Sequence, residues 1–179
     1  MCRTNVAAKE AEIARFLSRF PRAADAGRGH PALQGCEDVR WSGFPECPAG
    51  IPVLLHSLLD RTAASEADRV LTNCLYNSIS EMNVAVPVVL PFLIRLAGDP
   101  QVPVRSELLG HLVTFVEFSE PVDTEVEAMV LWFGSDSDHP ERAQCRAVFA
   151  EHASAVAILA EELPSPDDRA KLLQAAGLG

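Results

Sequence analysis

Five histidines and five cysteines are the residues of this chain best suited to nucleophilic or metal chemistry. His56 and His111 lie between leucines in helical apolar patterns, where a packed histidine is the ordinary expectation. His139 precedes a proline at the predicted start of a helix. No histidine stands in an HExxH motif or beside further ligands at zinc-site spacing. The sequence therefore predicts neither a bound metal nor another cofactor.

Motifs of catalysis are missing in the same way. Gly27-Arg28-Gly29-His30 is rich in glycine, but it lacks the Lys-Ser/Thr pair and the preceding strand of a phosphate-binding loop. Trp41-Ser42-Gly43 does not complete the GxSxG turn that carries a nucleophilic serine. We therefore expect a protein that is not an enzyme, although the sequence alone leaves an enzymatic role open.

The cysteines indicate a reducing compartment rather than a disulfide framework. Their number is odd and no CxxC pair occurs. Cys74 and Cys145 fall in helical apolar patterns, where a free thiol packs as a small apolar side chain. Cys36 and Cys47 flank a loop rich in Gly and Pro, and their role stays open. Residues 1–20 do not read as a signal peptide and no apolar run is long enough to span a membrane, so we expect a cytoplasmic protein.

Four polar residues of two predicted helices could line a pocket: Asn73, Tyr76, Asn77 and His111. The first three share one helical edge at positions i, i+3 and i+4. A groove between helices 65–79 and 103–118 would let the four residues contact a small molecule, as in a small-molecule-binding or enzymatic accessory protein. The alternative is that the polar edge only caps the turn at residues 80–83.

Charge is unevenly distributed along the chain. The net charge is −10, yet residues 1–35 hold six basic residues against three acidic ones. No Lys or Arg occurs between Arg105 and Arg142, and that interval holds nine Asp and Glu residues. Such a field attracts basic proteins and repels nucleic acid. We expect partner binding by acids of this interval, Glu117, Glu120, Asp123 and Glu127, unless it is only a solvated face.

The spacing of apolar residues predicts helices almost throughout. Residues 5–20 form a first helix with a stripe at Val6, Glu10, Ile13, Leu17 and Phe20, four of them apolar. Residues 22–50 are a Gly- and Pro-rich connection, packed or partly mobile. We expect Trp41 and Phe44 to pin it to a core, with contact to a ligand as the alternative. Further helices are predicted over 51–60, 65–79, about 90–97, 103–118, 121–133, 140–163 with a break near 152–154, and 166–176. We expect an all-α fold with two segments, 1–50 and 51–179.

Two prolines and one capping serine set expected helix ends. Pro87 and Pro91 lie four residues apart, and an interior proline costs a helix about 3 kcal/mol, so the central helix is expected to start near residues 90–91. Ser165 caps a last helix that opens with Pro166, and Gly177 closes it. These termini are the best specified in the chain.

Two segments share a pattern: Ile51–Asp60 (IPVLLHSLLD) and Val89–Pro100 (VLPFLIRLAGDP). Each reads x-Pro-x-Leu-Leu/Ile, followed by a leucine and a turn with Asp. The turn at Asp99-Pro100 with the following Val104-Arg105 resembles the turn and second-helix start of HEAT repeats. The segment Arg105–Leu109 extends the likeness, which covers about residues 51–118, and the arrangement resembles that of small actinobacterial HEAT-like proteins.

This resemblance implies a short right-handed α-α superhelix, a HEAT/armadillo-like solenoid of antiparallel helix pairs. The pairs would be 51–79, 85–118 and 122–163, with 166–176 as a closing helix. Such proteins hold a partner protein on a helical surface, and some bacterial ones are immunity proteins against toxins. The resemblance supplies no catalytic motif, so it implies a scaffold or immunity-type protein that binds a basic partner.

Overall fold

The structure is a computed structural model that describes residues 6–78, 81–123 and 125–179. Within these ranges the chain is mostly helical, which confirms the all-α prediction. The helices are α1 Val6–Arg19, α2 Ile51–Ser57, α3 Ala64–Leu75, α4 Val86–Ala97, α5 Arg105–Ser119, α6 Glu127–Phe133, α7 Pro140–Glu151, α8 Ala153–Ala160 and α9 Pro166–Ala175. Two short strands, β1 Tyr76–Ser78 and β2 Glu81–Met82, pair antiparallel between α3 and α4. No helix in the described part of the chain has both the length and the apolar character needed to cross a membrane.

Helix α1 buries a face that overlaps in part with the predicted stripe: Ile13 is buried, and Leu17 and Phe20 pack against the core. Lys9, Ile13 and Phe16 are its buried residues, whereas Val6 and Glu10 are exposed. The face is shifted because the core accepts the Lys9 ammonium group, which finds hydrogen-bond acceptors at the end of α3. A buried lysine next to such acceptors is not visible in a hydrophobic pattern.

The connection between α1 and α2 is packed, and Trp41 pins it as expected. Four short 3-10 turns lie along the segment: Ala23–Gly27, Pro31–Leu33, Cys36–Asp38 and Trp41–Gly43. Trp41 is 3% exposed, and its Nε1–H donates to the Cys36 carbonyl oxygen at 2.8 Å. Its ring lies 6.2 Å from the Phe92 ring of α4. The loop therefore shares one hydrophobic core with the later helices.

Helix α4 lies at the centre of the packing and begins earlier than the prolines predict. It starts at Val86, with Pro87 in its first turn, where the missing N–H has no partner to lose. Pro91 lies inside the helix and removes one backbone hydrogen bond. Burial offsets that loss, because nearly every apolar side chain of α4 is buried and the helix contacts α5, α7 and α8.

The turn between α4 and α5 is stabilised by the aspartate that the sequence singles out. Asp99 Oδ1 accepts the backbone N–H of Gln101 at 2.8 Å, and its Oδ2 accepts from His30 Nε2 at 3.0 Å. Arg105 Nε donates to the Ala97 carbonyl oxygen at 2.7 Å. That carbonyl belongs to the last turn of α4, where no intrahelical N–H is left for it.

The C-terminal third departs most from the expected helix lengths. The predicted helix 121–133 is helical only from Glu127 onward, as α6. The predicted helix 140–163 divides at His152 into α7 and α8, close to the expected break. The region expected to form one helix pair, 122–163, therefore holds three helices. The last helix is as predicted: Ser165 Oγ accepts the N–H of Asp168 at 3.2 Å, and Gly177 has a left-handed φ of 73°.

Candidate functional site

Helix α6 exposes its apolar side chains instead of burying them. Leu131 is 83% exposed and Trp132 is 71% exposed, and Val126, Met129 and Phe133 are also exposed. No residue of α6 is buried. We call these five side chains the α6 patch. Large apolar side chains exposed together on one short helix are typical of a binding surface.

Two arginines of α7 hold the segment that carries α6 in place. The buried Arg142 donates to the carbonyl oxygen of Phe133, the last residue of α6. One turn later, Arg146 donates to the carbonyl oxygen of Ser119, the last residue of α5. Its other nitrogen binds Asp136 Oδ2 at 2.8 Å. The backbone is thus fastened at both ends of the segment, while the apolar side chains between them face outward.

The turn between α6 and α7 brings the backbone of Gly134 close to the side chain of His139. Gly134 has a φ of 68°, and a Cβ at this position would lie 2.7 Å from the His139 ring. Only glycine combines that conformation with that close approach. His139 Nδ1 in turn donates to Glu141 Oε1 at 2.9 Å, and Glu141 is buried.

The acids expected to bind a partner divide into two kinds. Glu117 forms an ion pair with Lys171 of α9, and the hydrogen bond from Lys171 raises the pKa of that ammonium group. Glu120 and Asp123 are exposed in the segment before α6, and the exposed Glu127 is the first residue of α6. Glu120 lines a cleft together with Met129 and Phe133 of the α6 patch, whereas Glu117 is already paired within the protein.

Two clefts lie on either side of Glu120 and Pro121. The first has a volume of about 410 Å³ and is lined by Val116, Ser119, Glu120, Pro121, Arg146, Lys171, Gln174 and Ala175. The second has a volume of about 300 Å³ and is lined by Glu117, Phe118, Glu120, Pro121, Val122, Met129, Phe133 and Arg142. The second cleft includes two members of the α6 patch, so the patch continues into a concave surface.

Two of the four residues predicted to line a pocket contact different helices. Asn73 Nδ2 donates to Glu12 Oε1 of α1 at 3.2 Å. Tyr76 stacks on the Phe115 ring of α5 at a centroid distance of 5.5 Å, and burial raises its pKa well above the usual value. Asn73 thus lies on the outer side of α3, whereas Tyr76 joins the core between α3 and α5.

The other two predicted pocket residues are hydrogen-bonded to protein groups. Asn77 is buried, and its Oδ1 accepts from Lys9 Nζ at 2.9 Å. His111 Nε2 lies 2.9 Å from Asp68 Oδ1 and 3.2 Å from Thr72 Oγ1. His111 joins α5 to α3 and Tyr76 joins β1 to α5, whereas Asn73 and Asn77 both contact α1.

One cluster of chemically capable side chains is missed by the sequence patterns. Cys36 Sγ lies 3.4 Å from His56 Nε2, and Glu37 Oε1 lies 3.1 Å from the same nitrogen. Each of the three donor atoms is within 4.8 Å of the other two. Twenty residues separate Cys36 from His56, and His56 lies among leucines, so only the Cys-Glu dipeptide gives a local hint. We call these three residues the Cys36 cluster.

Comparison of this chain with models of protein families, with curated proteins and with solved structures finds no match. The functional argument therefore depends on the α6 patch, the acids beside it and the Cys36 cluster.

Proposed function

We propose that this protein is a non-enzymatic interaction module that binds a positively charged protein through the α6 patch and the neighbouring acids. The observation that carries the proposal is the position of Leu131 and Trp132. They are the most exposed large apolar side chains of the described residues, and they lie in the interval 106–141, which contains no Lys or Arg.

The α6 patch and the acids near it resemble the apolar core and the charged rim of a protein–protein interface. Interfaces commonly have a core of aromatic and aliphatic side chains within a polar rim. Tryptophan is among the residues that contribute most binding energy when a partner covers it. The exposed carboxylates of Glu120, Asp123 and Glu127 would speed the approach of a basic partner and select against acidic ones.

The charge of the surface also decides between possible occupants. Nucleic-acid phosphates and anionic lipid headgroups would be repelled by the carboxylates around the patch. A second copy of the chain, paired through the same face, would bring like charges together. A basic protein surface with an apolar centre is the occupant that this charge pattern favours.

Binding of a small molecule between α3 and α5 has weaker support. Tyr76 is stacked on Phe115, Asn77 is bonded to Lys9, and His111 is paired with Asp68. These side chains are engaged by protein neighbours.

The resemblance to HEAT-like proteins supports the same class of function. We extend the proposal to a cytoplasmic HEAT-like solenoid of helix pairs, in a scaffold or immunity-type role toward a basic partner such as a nuclease toxin. The free thiols of Cys36, Cys47, Cys74 and Cys145 agree with a reducing compartment.

The experiment compares the native chain with two variants of the site and one control. The first variant is Leu131→Ser with Trp132→Ser, and the second is Glu120→Lys, Asp123→Lys and Glu127→Lys. The control reverses three exposed acids elsewhere, Glu151→Lys, Glu161→Lys and Asp167→Lys. Proteins captured from an extract of the native host by wild type and control, but by neither site variant, are the candidates to purify.

The affinity of the purified partner is then measured at several salt concentrations. We expect each site variant to weaken binding at least about tenfold, since truncation of central interface residues costs about 2 kcal/mol or more. The charge variant should also flatten the dependence of affinity on salt. Trp132 fluorescence should shift to the blue on binding, while the buried Trp41 should not respond. Equal loss in the control, or binding that none of the variants changes, would contradict the proposal.

A further inference from the structure

We propose that Cys36, Glu37 and His56 form a Zn²⁺ site. The ligands would be Cys36 Sγ, Glu37 Oε1 and His56 Nε2, with water as the fourth ligand. This inference is independent of partner binding, because it uses different residues and makes no reference to α6.

The distances in the Cys36 cluster suit a tetrahedral zinc ion. Zinc binds sulfur at about 2.3 Å and nitrogen or oxygen at about 2.0–2.2 Å, so neighbouring donor atoms lie about 3.3–3.6 Å apart. The Sγ–Nε2 distance is 3.4 Å and the Nε2–Oε1 distance is 3.1 Å. Sγ and Oε1 lie within 4.8 Å of each other, and the exposed Glu37 side chain can rotate to bring Oε1 to the spacing that the ion requires.

His56 Nε2 has two neighbours, Cys36 Sγ and Glu37 Oε1, and one hydrogen bond serves only one of them. Nε2 of His56 carries either one proton or one lone pair in the plane of its ring. If Nε2–H donates a hydrogen bond to Glu37, the same hydrogen atom cannot form a second good hydrogen bond with the Cys36 sulfur. If Nε2 instead accepts from the thiol, it faces the Glu37 carboxylate at 3.1 Å with no proton between them. A cation among the three atoms satisfies all of them at once.

The fold positions each ligand before any ion binds. Gly35 has a φ of 85° and leads the chain into the turn that presents Cys36 and Glu37. Trp41 holds the Cys36 carbonyl oxygen at 2.8 Å. Gly27 packs so closely on His56 that a Cβ there would lie 2.7 Å from Nδ1.

This packing also selects which ring nitrogen can bind. His56 Nδ1 is buried and has no hydrogen-bond partner among the described residues. Nε2, on the opposite side of the ring, faces Cys36 and Glu37. Only Nε2 is therefore available to an ion.

The donor set and its exposure identify the ion class. Sulfur, imidazole nitrogen and carboxylate oxygen together suit Zn²⁺ and not Mg²⁺ or Ca²⁺, which prefer oxygen ligands alone. The Cys36 thiol would lose its proton to solvent as the zinc–sulfur bond forms. The resulting thiolate and the Glu37 carboxylate balance the two charges of the ion. The Glu37 side chain is 72% exposed, so the ion can enter from that side and a water molecule can occupy the fourth position.

The test uses the full chain without a polyhistidine tag, stripped of metal and titrated with Zn²⁺ in an excess of Mg²⁺. Glu37→Gln is the main variant, because an exposed side chain can be changed without disturbing the fold. Asp38→Asn is its matched control, an exposed carboxylate next in the chain that does not belong to the cluster. We expect one zinc ion per chain, weakened at least about tenfold by Glu37→Gln and unchanged by Asp38→Asn.

Co²⁺ gives a second readout that identifies the sulfur ligand. Bound Co²⁺ should show a thiolate-to-metal charge-transfer band in wild type and in Cys47→Ser, and no such band in Cys36→Ser. Circular dichroism shows whether each variant is folded. The proposal is overturned if zinc does not bind, if Glu37→Gln and Asp38→Asn bind alike, or if the cobalt band persists in folded Cys36→Ser.

Discussion

Lys9 Nζ lies 2.9 Å from Asn77 Oδ1, although 68 positions separate the two residues in the chain. The same ammonium group donates to the carbonyl oxygens of Cys74 at 2.9 Å and Glu46 at 3.1 Å. Three donor hydrogens thus meet three acceptors, although the lysine is 0% exposed. Cys74 is in the last turn of α3, where the helix dipole favours a positive charge. Lys9 therefore joins α1, the loop before α2 and the end of α3.

Replacement of Lys9 by methionine should destabilise the protein by about 1–3 kcal/mol. The aliphatic stem of the side chain would still fill its space, but the Cys74 and Glu46 carbonyl oxygens would lose this buried hydrogen-bond donor. Urea denaturation followed by circular dichroism measures the free energy of unfolding. Arg15→Met, on the exposed side of α1, should change it by less than about 0.5 kcal/mol. Equal effects of the two substitutions would show that the Lys9 contacts contribute nothing.

The buried thiols should make the protein less stable at alkaline pH. Burial raises the pKa of Cys47 to about 11 and the pKa values of Cys74 and Cys145 to about 12, from 9.0. Above pH 9 the unfolded chain loses these protons while the folded protein retains them, so the free energy of unfolding falls as pH rises. Each thiol contributes a slope of about 1.4 kcal/mol per pH unit between the two pKa values. Burial lowers the pKa of Lys9 from 10.5. This shift makes the free energy of unfolding rise with pH, but it concerns one group against three thiols.

Cys145→Ala tests this assignment by its slope rather than by its overall effect. The variant is expected to be less stable at neutral pH, because it leaves a small cavity. Between pH 9 and 11 its free energy of unfolding should fall less steeply than that of wild type, by about 1.4 kcal/mol per pH unit. Parallel curves for the two proteins would mean that Cys145 ionises equally well in the folded state.

Arg146 should control how firmly α6 is held. Arg146→Met removes the hydrogen bond to the Ser119 carbonyl oxygen and the ion pair with Asp136. We expect faster amide hydrogen exchange over residues 125–139, with a change in melting temperature of only a few degrees. Lys171→Met is the matched control, because it breaks the ion pair with Glu117 and leaves the α6 segment fastened. Hydrogen exchange that stays at the wild-type rate in Arg146→Met would contradict this role.

The features that sequence predicts correctly here are local ones. The apolar stripes of α2 to α5, the Ser165 cap and the Asp99 turn depend on residues close together in the chain. Trp41 could be assigned to the core because a large aromatic side chain in a Gly- and Pro-rich loop usually packs against a hydrophobic core. Each of these predictions needs only a spacing or a turn preference.

What the sequence does not predict depends on distant partners. Burial of Lys9 requires acceptors that α3 and the loop before α2 supply. The early start of α4 reflects burial by three other helices, which outweighs the cost of Pro91. The sequence predicts a helix over 121–133 but not the exposure of its apolar side chains or the arginines of α7 that bind the backbone at its two ends. The Cys36 cluster likewise forms only when α2 packs on the preceding loop.

Asp99 should stabilise the α4–α5 turn through two separable contacts. Asp99→Ala removes the hydrogen bonds to the Gln101 N–H and to His30, and should cost about 1–2 kcal/mol. Asp99→Asn retains an oxygen for Gln101 but removes the carboxylate charge, so it should cost less.

The hydrogen bonds from Gln101 and His30 lower the pKa of Asp99 below its usual value. The negative charge of Asp99 therefore stabilises the fold at any pH above the usual pKa of an aspartate. This stabilisation is lost as the pH falls through the lowered pKa. The difference in unfolding free energy between wild type and Asp99→Asn should be largest near neutral pH and should shrink in acid. A difference that does not change with pH would show that the charge does not stabilise the turn.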